Sequence, residues 1–409
     1  MKKLTIIGLI FAGLGIVAGS GWLFFAGQKE PPKEIVSGSP FGEGGEAAET
    51  PEQARGAAVG GGILRGADDG VSGSEVFQIH AKPVAGAGFV NKDEGVFARY
   101  MERGLGHIFE TNMETKRGAK ILNETRLKIH DAFWGNNGAN AAFRYLDEES
   151  GVVRTFSISL TETRDEESGE LRVSSRGEFL PDNIGGIAVS EADSRKIFYL
   201  LNTGGSGAGT VYNMETGAKA QIFSSPLTEW IPGWPARDTV TLTTKASFSV
   251  PGMMYALSVR TERLSKVLDG IPGLTTLTSP DTRKTAYSHI GPEGFFLMLL
   301  NENTGKKTPL SVVTLPEKCV WGGDSVMLYC SVPDRIPSAT YPDDWYKGIV
   351  SFSDSLWEIN TETFEANILA DFETQRIGDI DGINLQISDD GAWLIFQNKR
   401  DMSLWGARL

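Results

Sequence analysis

The chain has four histidines, His80, His107, His130 and His289. None stands in H-E-x-x-H or another metal-binding spacing, so each reads as a strand or loop residue and not a ligand. Gly204-Gly205-Ser206-Gly207-Ala208-Gly209 invites a phosphate-loop or nucleophile-elbow reading. It meets neither pattern: no Lys follows, and the serine is one place out of the G-x-S-x-G frame. It reads as the loop between the second and third strands of the third repeat defined below. Adjacent acids occur at Asp343-Asp344 and Asp389-Asp390. Glycoside hydrolysis needs carboxyls about 5–10 Å apart across a cleft, and neighbouring loop acids are ordinarily solvated. No catalytic residue, metal ligand or cofactor is assigned.

Two further groups of residues could carry a role. Cys319 and Cys330 bracket C-V-W-G-G-D-S-V-M-L-Y-C, with Gly322-Gly323-Asp324-Ser325 as a hairpin turn between neighbouring strands. They pair as a disulfide if the domain is exported; the other reading is two buried thiols. A loop this small limits the entropic gain of a bond to about 3 kcal/mol. Redox catalysis wants C-x-x-C spacing, which is absent. The second group lies in Pro333–Gly348, an insertion between the second and third strands of the sixth repeat. Tyr341, Trp345 and Tyr346 offer stacking surface and Asp343 and Asp344 offer acceptors, with Glu229 and Trp230 approaching the same face. Such a cluster on loops suits a peptide or a glycan. The alternative is an insertion that folds back with its aromatics packed, since large rings seldom stay fully exposed.

The elements that must position these residues are strands. Of 409 residues, 40% are apolar and 22% charged, Gly numbers 49, and aromatic and β-branched residues are spread throughout. From about Val76, short alternating apolar runs are separated by Gly, Asn, Asp, Ser and Pro, the pattern of an all-β domain. The runs group in fours at roughly 43–65-residue intervals, a propeller spacing. First strands begin near Val84, His130, Ile184, Glu229, Leu274, Lys318 and Ile383. Polar segments such as Asn213-Met-Glu-Thr-Gly217 and Asn301-Glu-Asn-Thr-Gly305 mark tight turns between third and fourth strands. The last unit shows only three strands, ending at Leu409, and Val76–Ala81 fits the missing one. The expectation is a seven-bladed β-propeller closed by its N-terminal strand. Six or eight blades are the alternatives, because the second unit holds an acidic insertion at Thr163–Glu170.

Ahead of the propeller, Met1-Lys2-Lys3 precedes an uncharged stretch from Leu4 to Gly27. As a helix it spans about 36 Å, enough to cross a bilayer. A cleaved signal peptide is the other reading, though its apolar core is ordinarily shorter. Lys2 and Lys3 favour a cytoplasmic N-terminus and an extracytoplasmic propeller, with Lys29 and Lys33 opposing. Residues 28–71 are rich in Gly, Ala, Glu and Pro and read as a flexible linker reaching about 35–40 Å. The expected domains are thus 1–27, a transmembrane anchor; 28–71, a linker; and 72–409, the propeller.

Ser279-Pro280-Asp281 with Ala286-Tyr287, and Ser388-Asp389-Asp390-Gly391 with Ile395-Phe396, resemble the S-P-D-G repeat of TolB-like propellers. Ser190-Glu-Ala-Asp193 with Ile197-Phe198 is a looser copy, and blades 1, 2, 4 and 6 lack it. The resemblance implies the fold, an Asp-Gly turn between the first two strands, and an apolar pair packed between blades. TolB-like domains bind proteins or accompany a peptidase domain; no functional residue transfers with the motif. A net charge of −13 with no basic run argues against nucleic acid. The expected role is a membrane-tethered binding or scaffold module for a protein or cell-envelope component. The alternative is an envelope glycan hydrolase or lyase using acids at the propeller face.

Overall fold

The computed structural model describes residues 73–164, 171–291 and 294–409. The expected anchor and linker, at 1–27 and 28–71, lie outside the described residues. Among those described, no helix is long and apolar enough to cross a membrane. They fold as seven four-stranded antiparallel sheets. The blades are Val84–Leu122, Ile129–Phe179, Ile184–Ser225, Trp230–Pro272, Thr276–Pro309, Cys319–Asp371, and a seventh built from Gly382–Arg408 and the N-terminal strand. Six blades thus take their strands in sequence order. The seventh takes its outer strand, Val76–His80, from the start of the domain, with Phe77 opposite Gly406 and His80 opposite Leu404. Seven blades and N-terminal closure are what the sequence pattern predicts. The acidic insertion of blade 2 adds no blade; it lengthens that blade's outer hairpin, Val152–Arg164 and Leu171–Phe179.

Each blade is apolar on both faces because each is sandwiched, and one apolar cluster fills each of the seven junctions. Blades 1 and 2 meet through Met101, Ile108, Trp134 and Phe143. Blades 7 and 1, the closing junction, meet through Val84, Ala98, Tyr100, Trp393, Ile395 and Leu404. The pairs that follow the Asp turns, Ala286-Tyr287 and Ile395-Phe396, are at most 3% exposed and pack at these junctions, as the motif implies. Burying side chains of this size contributes about 1.5–3 kcal/mol each, so the ring depends on contacts between blades as much as within them.

Repeated turns set the strand register. In blade 5 the Ser279 hydroxyl donates to Asp281 Oδ1 at 2.7 Å, and that oxygen also accepts the Arg283 amide. Blade 7 repeats this with Ser388, Asp390 and the Ala392 amide. Blade 6, which lacks the motif in sequence, makes a related turn: Asp324 accepts the Val326 and Met327 amides, and Gly322 stands where the others have Ser. Between third and fourth strands, Asn213, Asn301 and Asn360 each accept two following backbone amides through the side-chain oxygen. The chain then passes through a left-handed residue: Gly217 at φ 74°, Gly305 at φ 69°, and Phe364 at φ 64°. The Gly204–Gly209 run is mostly strand. Gly204 and Gly205 make the tight turn, while a Cβ on Gly209 would sit 2.3 Å from the Phe198 ring.

Phe364 occupies a conformation that its two counterparts fill with glycine. Left-handed φ costs a residue with a Cβ about 1–2 kcal/mol. Phe364→Gly is therefore expected to raise the urea midpoint of the full-length protein by the equivalent of about 1 kcal/mol. A lowered midpoint would show that the partly exposed ring contributes more by packing than its backbone loses.

Candidate functional site

The antiparallel blades give the propeller two unlike faces. Loops that lead into first strands share one face with loops joining second to third strands. Turns joining first to second strands, including the Asp turns, lie on the other.

The insertion of blade 6 occupies the first face, and of its two readings the structure takes the packed one. Tyr341 is 6% and Trp345 3% exposed. Tyr341 stacks on Phe352 at 5.7 Å and meets Phe295 of blade 5 at 4.8 Å. Asp343 and Asp344, expected as ligand acceptors, accept backbone amides instead: Asp343 takes that of Phe248 in blade 4 at 2.7 Å, and Asp344 that of Thr340 at 2.8 Å. Tyr346 keeps an exposed edge, but its hydroxyl donates to Glu317. Its phenol is raised well above the ordinary value by burial and that carboxylate. Nor does the structure bring Trp230 to this cluster. Trp230 is buried between blades 3 and 4, edge-on to Phe223 and Tyr255, with its indole N–H donating to the Leu227 carbonyl at 3.1 Å. Glu229 is exposed and pairs with Lys245 at 3.7 Å. These seven residues do not form one binding surface.

The insertion is fastened from beneath by a fully buried ion triad. Lys318 Nζ lies 2.8 Å from Asp354 Oδ2 and 2.5 Å from Asp381 Oδ1, with all three side chains at 0% exposure. Asp381 Oδ2 accepts the Trp345 indole N–H at 2.9 Å and the Phe352 amide at 3.1 Å. The ammonium also lies 5.5 Å from the Trp345 ring and 5.2 Å from that of Phe352. Burial, outweighing the Lys318 charge, pushes the Asp354 carboxyl up to about 6, and its Oδ1 has no hydrogen-bond partner. Cys319 follows directly, and its sulfur lies 2.09 Å from that of Cys330, its partner across the first two strands of blade 6.

The opposite face opens into a cavity of about 1020 Å³ along the propeller axis. Six of the seven blades line it, chiefly through the ends of first strands and the turns that follow. Its wall is fixed by side chains that bridge blades. Trp134 Nε1 donates to the Gly86 carbonyl at 3.1 Å, and Trp321 Nε1 to that of Leu277 at 3.1 Å, each reaching back to the preceding blade. Gln386 Nε2 donates to the Ala87 carbonyl and Gln397 Nε2 to the Val84 carbonyl, both at 2.7 Å, across the closing junction. Gly86 permits this approach: a Cβ there would lie 1.9 Å from the Ala132 carbonyl oxygen. Phe133, Trp134, Trp321 and Tyr329 give the wall aromatic surface, and five carboxylates line it, those of Asp131, Glu191, Asp324, Asp389 and Asp390. Arg144 is the one cationic side chain, held by Asp131 and by the Ile184 carbonyl at 3.0 Å. Glu191 lies exposed at the cavity with no hydrogen-bond partner for its side chain among the described residues, and the neighbouring protein raises its carboxyl above the ordinary value. Asp390 stays below the ordinary carboxylate range because Ser388 and the Ala392 amide donate to it.

Sequence reasoning passed over this cavity. Two traces of it stand in the sequence: the adjacent acids Asp389-Asp390, and a tryptophan near the end of first strands, in H-D-A-F-W-G and K-C-V-W-G, which the structure shows bridging to the blade before. No group of three or more His, Cys, Asp or Glu among the described residues is placed to hold a metal ion.

The sequence matches no known protein family, and no curated protein matches it. Solved structures do resemble it. An oligogalacturonate lyase from Vibrio parahaemolyticus superposes with a TM-score of 0.53 at 13% identity, covering 81% of this chain and 93% of that one. An oligogalacturonate lyase in complex with manganese gives 0.54 at 11%, covering 83% and 94%. TolB from Acinetobacter baumannii gives 0.43 at 11%, covering 79% of each. At these identities the lyases share the fold, and the chain is a seven-bladed β-propeller of that architecture.

Lys318→Met should leave Asp354 and Asp381 buried without a counter-charge. The expected loss is about 3–5 kcal/mol, with faster proteolytic cutting between Ile336 and Ile349 under native conditions. Unchanged stability together with an uncut insertion would contradict the fastening role.

Proposed function

We propose that this chain is a membrane-tethered, extracytoplasmic binding module that takes a segment of a protein or an envelope polymer into its axial cavity. The observation that carries this reading is the cavity itself, open at one face, walled by aromatics and lined by carboxylates that outnumber cations five to one. Walls of one charge in a low-dielectric cleft focus field and favour a partner of opposite sign, so the bound segment carries positive charge. Leu4–Gly27 would act as the transmembrane anchor, with its N-terminus in the cytoplasm and residues 28–71 as the tether. The Cys319–Cys330 bond supports an oxidising compartment.

Photo-crosslinking tests this in cells producing the full-length protein. A photoreactive residue at Tyr329 or Asp389, in the cavity, should give a discrete adduct. The same residue at Glu358, on the outer part of blade 6, should give none. Asp389→Asn combined with Glu191→Gln should reduce the Tyr329 adduct several-fold. Adducts of equal yield from all positions, or none from the cavity, would overturn the reading.

Glu191 favours a second reading, an envelope-glycan lyase or hydrolase with that carboxyl as acid or base, since it lines the cavity beside the aromatic wall and its carboxyl is raised above the ordinary value. Turnover on envelope glycans that Glu191→Gln abolishes would select it over binding alone. Capture of the same partner by Glu191→Gln, with no turnover in the parent, would select binding.

A further inference from the structure

Four large apolar side chains stand exposed together on the face that carries the insertion. Phe248 and Val250, in the loop joining the second and third strands of blade 4, are 49% and 63% exposed. Tyr346 and Ile349, at the end of the insertion, are 37% and 67% exposed. Hydrogen bonds tie both segments to one turn of helix, Asp343–Tyr346. The Phe248 amide donates to Asp343 Oδ2 at 2.7 Å, and the Ile349 amide to the Asp344 carbonyl at 2.9 Å. On the opposite face, Leu171, Leu264 and Phe364 are exposed singly, on blades 2, 4 and 6. Scattered apolar residues are ordinary on a surface, whereas a patch marks a place of contact.

The polar groups of the patch are turned inward. Asp343 and Asp344 accept backbone amides, and the Tyr346 hydroxyl donates to Glu317. Two lysines border it, Lys245 and Lys347, each 62% exposed. Lys245 meets Glu229 at 3.7 Å and Lys347 meets Asp344 at 4.0 Å, loose surface pairs that hold neither ammonium firmly. Apolar tips flanked by lysines suit a lipid surface: the tips enter the headgroup–acyl boundary and the ammonium groups stay among the phosphates.

The course of the chain favours lipid over a protein as the occupant. The polypeptide enters the domain on this side. The Ser74 amide donates to the Leu369 carbonyl of blade 6 at 2.9 Å, and Gln375 Nε2 donates to the Ser74 carbonyl at 3.0 Å. Gln375 belongs to the segment that leads into the first strand of blade 7, on the face of the patch. Upstream lies the uncharged stretch Leu4–Gly27. With that stretch in a bilayer and residues 28–71 reaching about 35–40 Å, the domain meets lipid at high effective concentration, and a contact of modest strength stays occupied.

We propose that Phe248, Val250, Tyr346 and Ile349 seat the propeller on the bilayer, with the insertion face against lipid and the axial cavity turned away from it. The proposal rests on the anchor reading of Leu4–Gly27 and is independent of what the cavity binds.

Depth-dependent quenching tests it. Full-length protein is reconstituted in nanodiscs of phosphatidylethanolamine and phosphatidylglycerol that include lipid with a doxyl group high on the acyl chain. A small fluorescent amino acid replaces Val250, Ile349 or Phe364, one at a time. Emission from the probes at Val250 and Ile349 should be quenched several-fold more than that from the probe at Phe364, on the cavity face. With the probe at Ile349, Phe248→Ser combined with Val250→Asp should bring quenching down to the Phe364 level; both side chains are exposed, and an unchanged urea midpoint checks that the fold is kept. Equal quenching at all three positions, or none at Val250 and Ile349, would overturn the proposal and leave the anchor reading standing. Full-length protein that does not stay with the nanodisc would overturn both. Shielding of the Ile349 probe from an aqueous quencher with no quenching by lipid would assign the patch to a second copy or another protein, and would likewise overturn it.

Discussion

The structure depends on the closing of a ring. A propeller sheet buries both faces only if every blade has two neighbours, and the last blade has three strands of its own. Val76–His80 supplies the fourth by pairing with Leu404–Arg408, which removes an exposed edge that would otherwise invite pairing with another chain. Bringing together segments so distant in sequence costs loop-closure entropy, though that cost grows only slowly with length. The junction offsets it with the Val84–Tyr100–Trp393 cluster and with two glutamine bonds, from Gln386 and Gln397 to carbonyls of blade 1. Those same glutamines line the cavity, so closure and site share one wall.

The two faces are specialised by different physics. On one, the insertion spends its aromatic rings and acids on internal packing, and a buried Lys318–Asp354–Asp381 triad holds it over blades 6 and 7. A buried ion triad adds little net stability over an apolar equivalent; what it contributes here is position, since Asp381 accepts hydrogen bonds from both Trp345 and Phe352. On the other face the first strands end around an open, acidic cavity. A further stitch joins blades 1 and 2. Arg99, 2% exposed, donates to the Gly138 carbonyl at 2.7 Å and binds Glu110 and Glu162, the latter on the lengthened hairpin of blade 2.

Much of the fold was legible because propeller blades repeat local signals. Alternating strands, Asn-led turns and the S-x-D turn each occur several times, so one weak copy is supported by the others. The closing strand was legible by arithmetic, as a blade short of one strand faced a strand short of a blade. The site was not legible in the same way. Nothing local in P-D-D-W-Y tells whether a tryptophan faces water or reaches back to Asp381, which lies on another blade. Trp230 looked like a surface aromatic because it begins a strand, yet its environment is set by Phe223 and Tyr255. The cavity belongs to no single segment: Glu191, Asp324 and Asp389 come from three blades and become one acidic lining only once the ring exists.

Hydrogen exchange in the full-length protein tests the closure most directly. If the N-terminal strand seals the ring, the amides of Val76–His80 that bond to the last strand should exchange only through global unfolding, at the free energy shown by Trp393–Asn398 in the same blade. Exchange of the N-terminal strand at a free energy well below that of its neighbours would mean that the strand frays independently, and that the ring is held by something else.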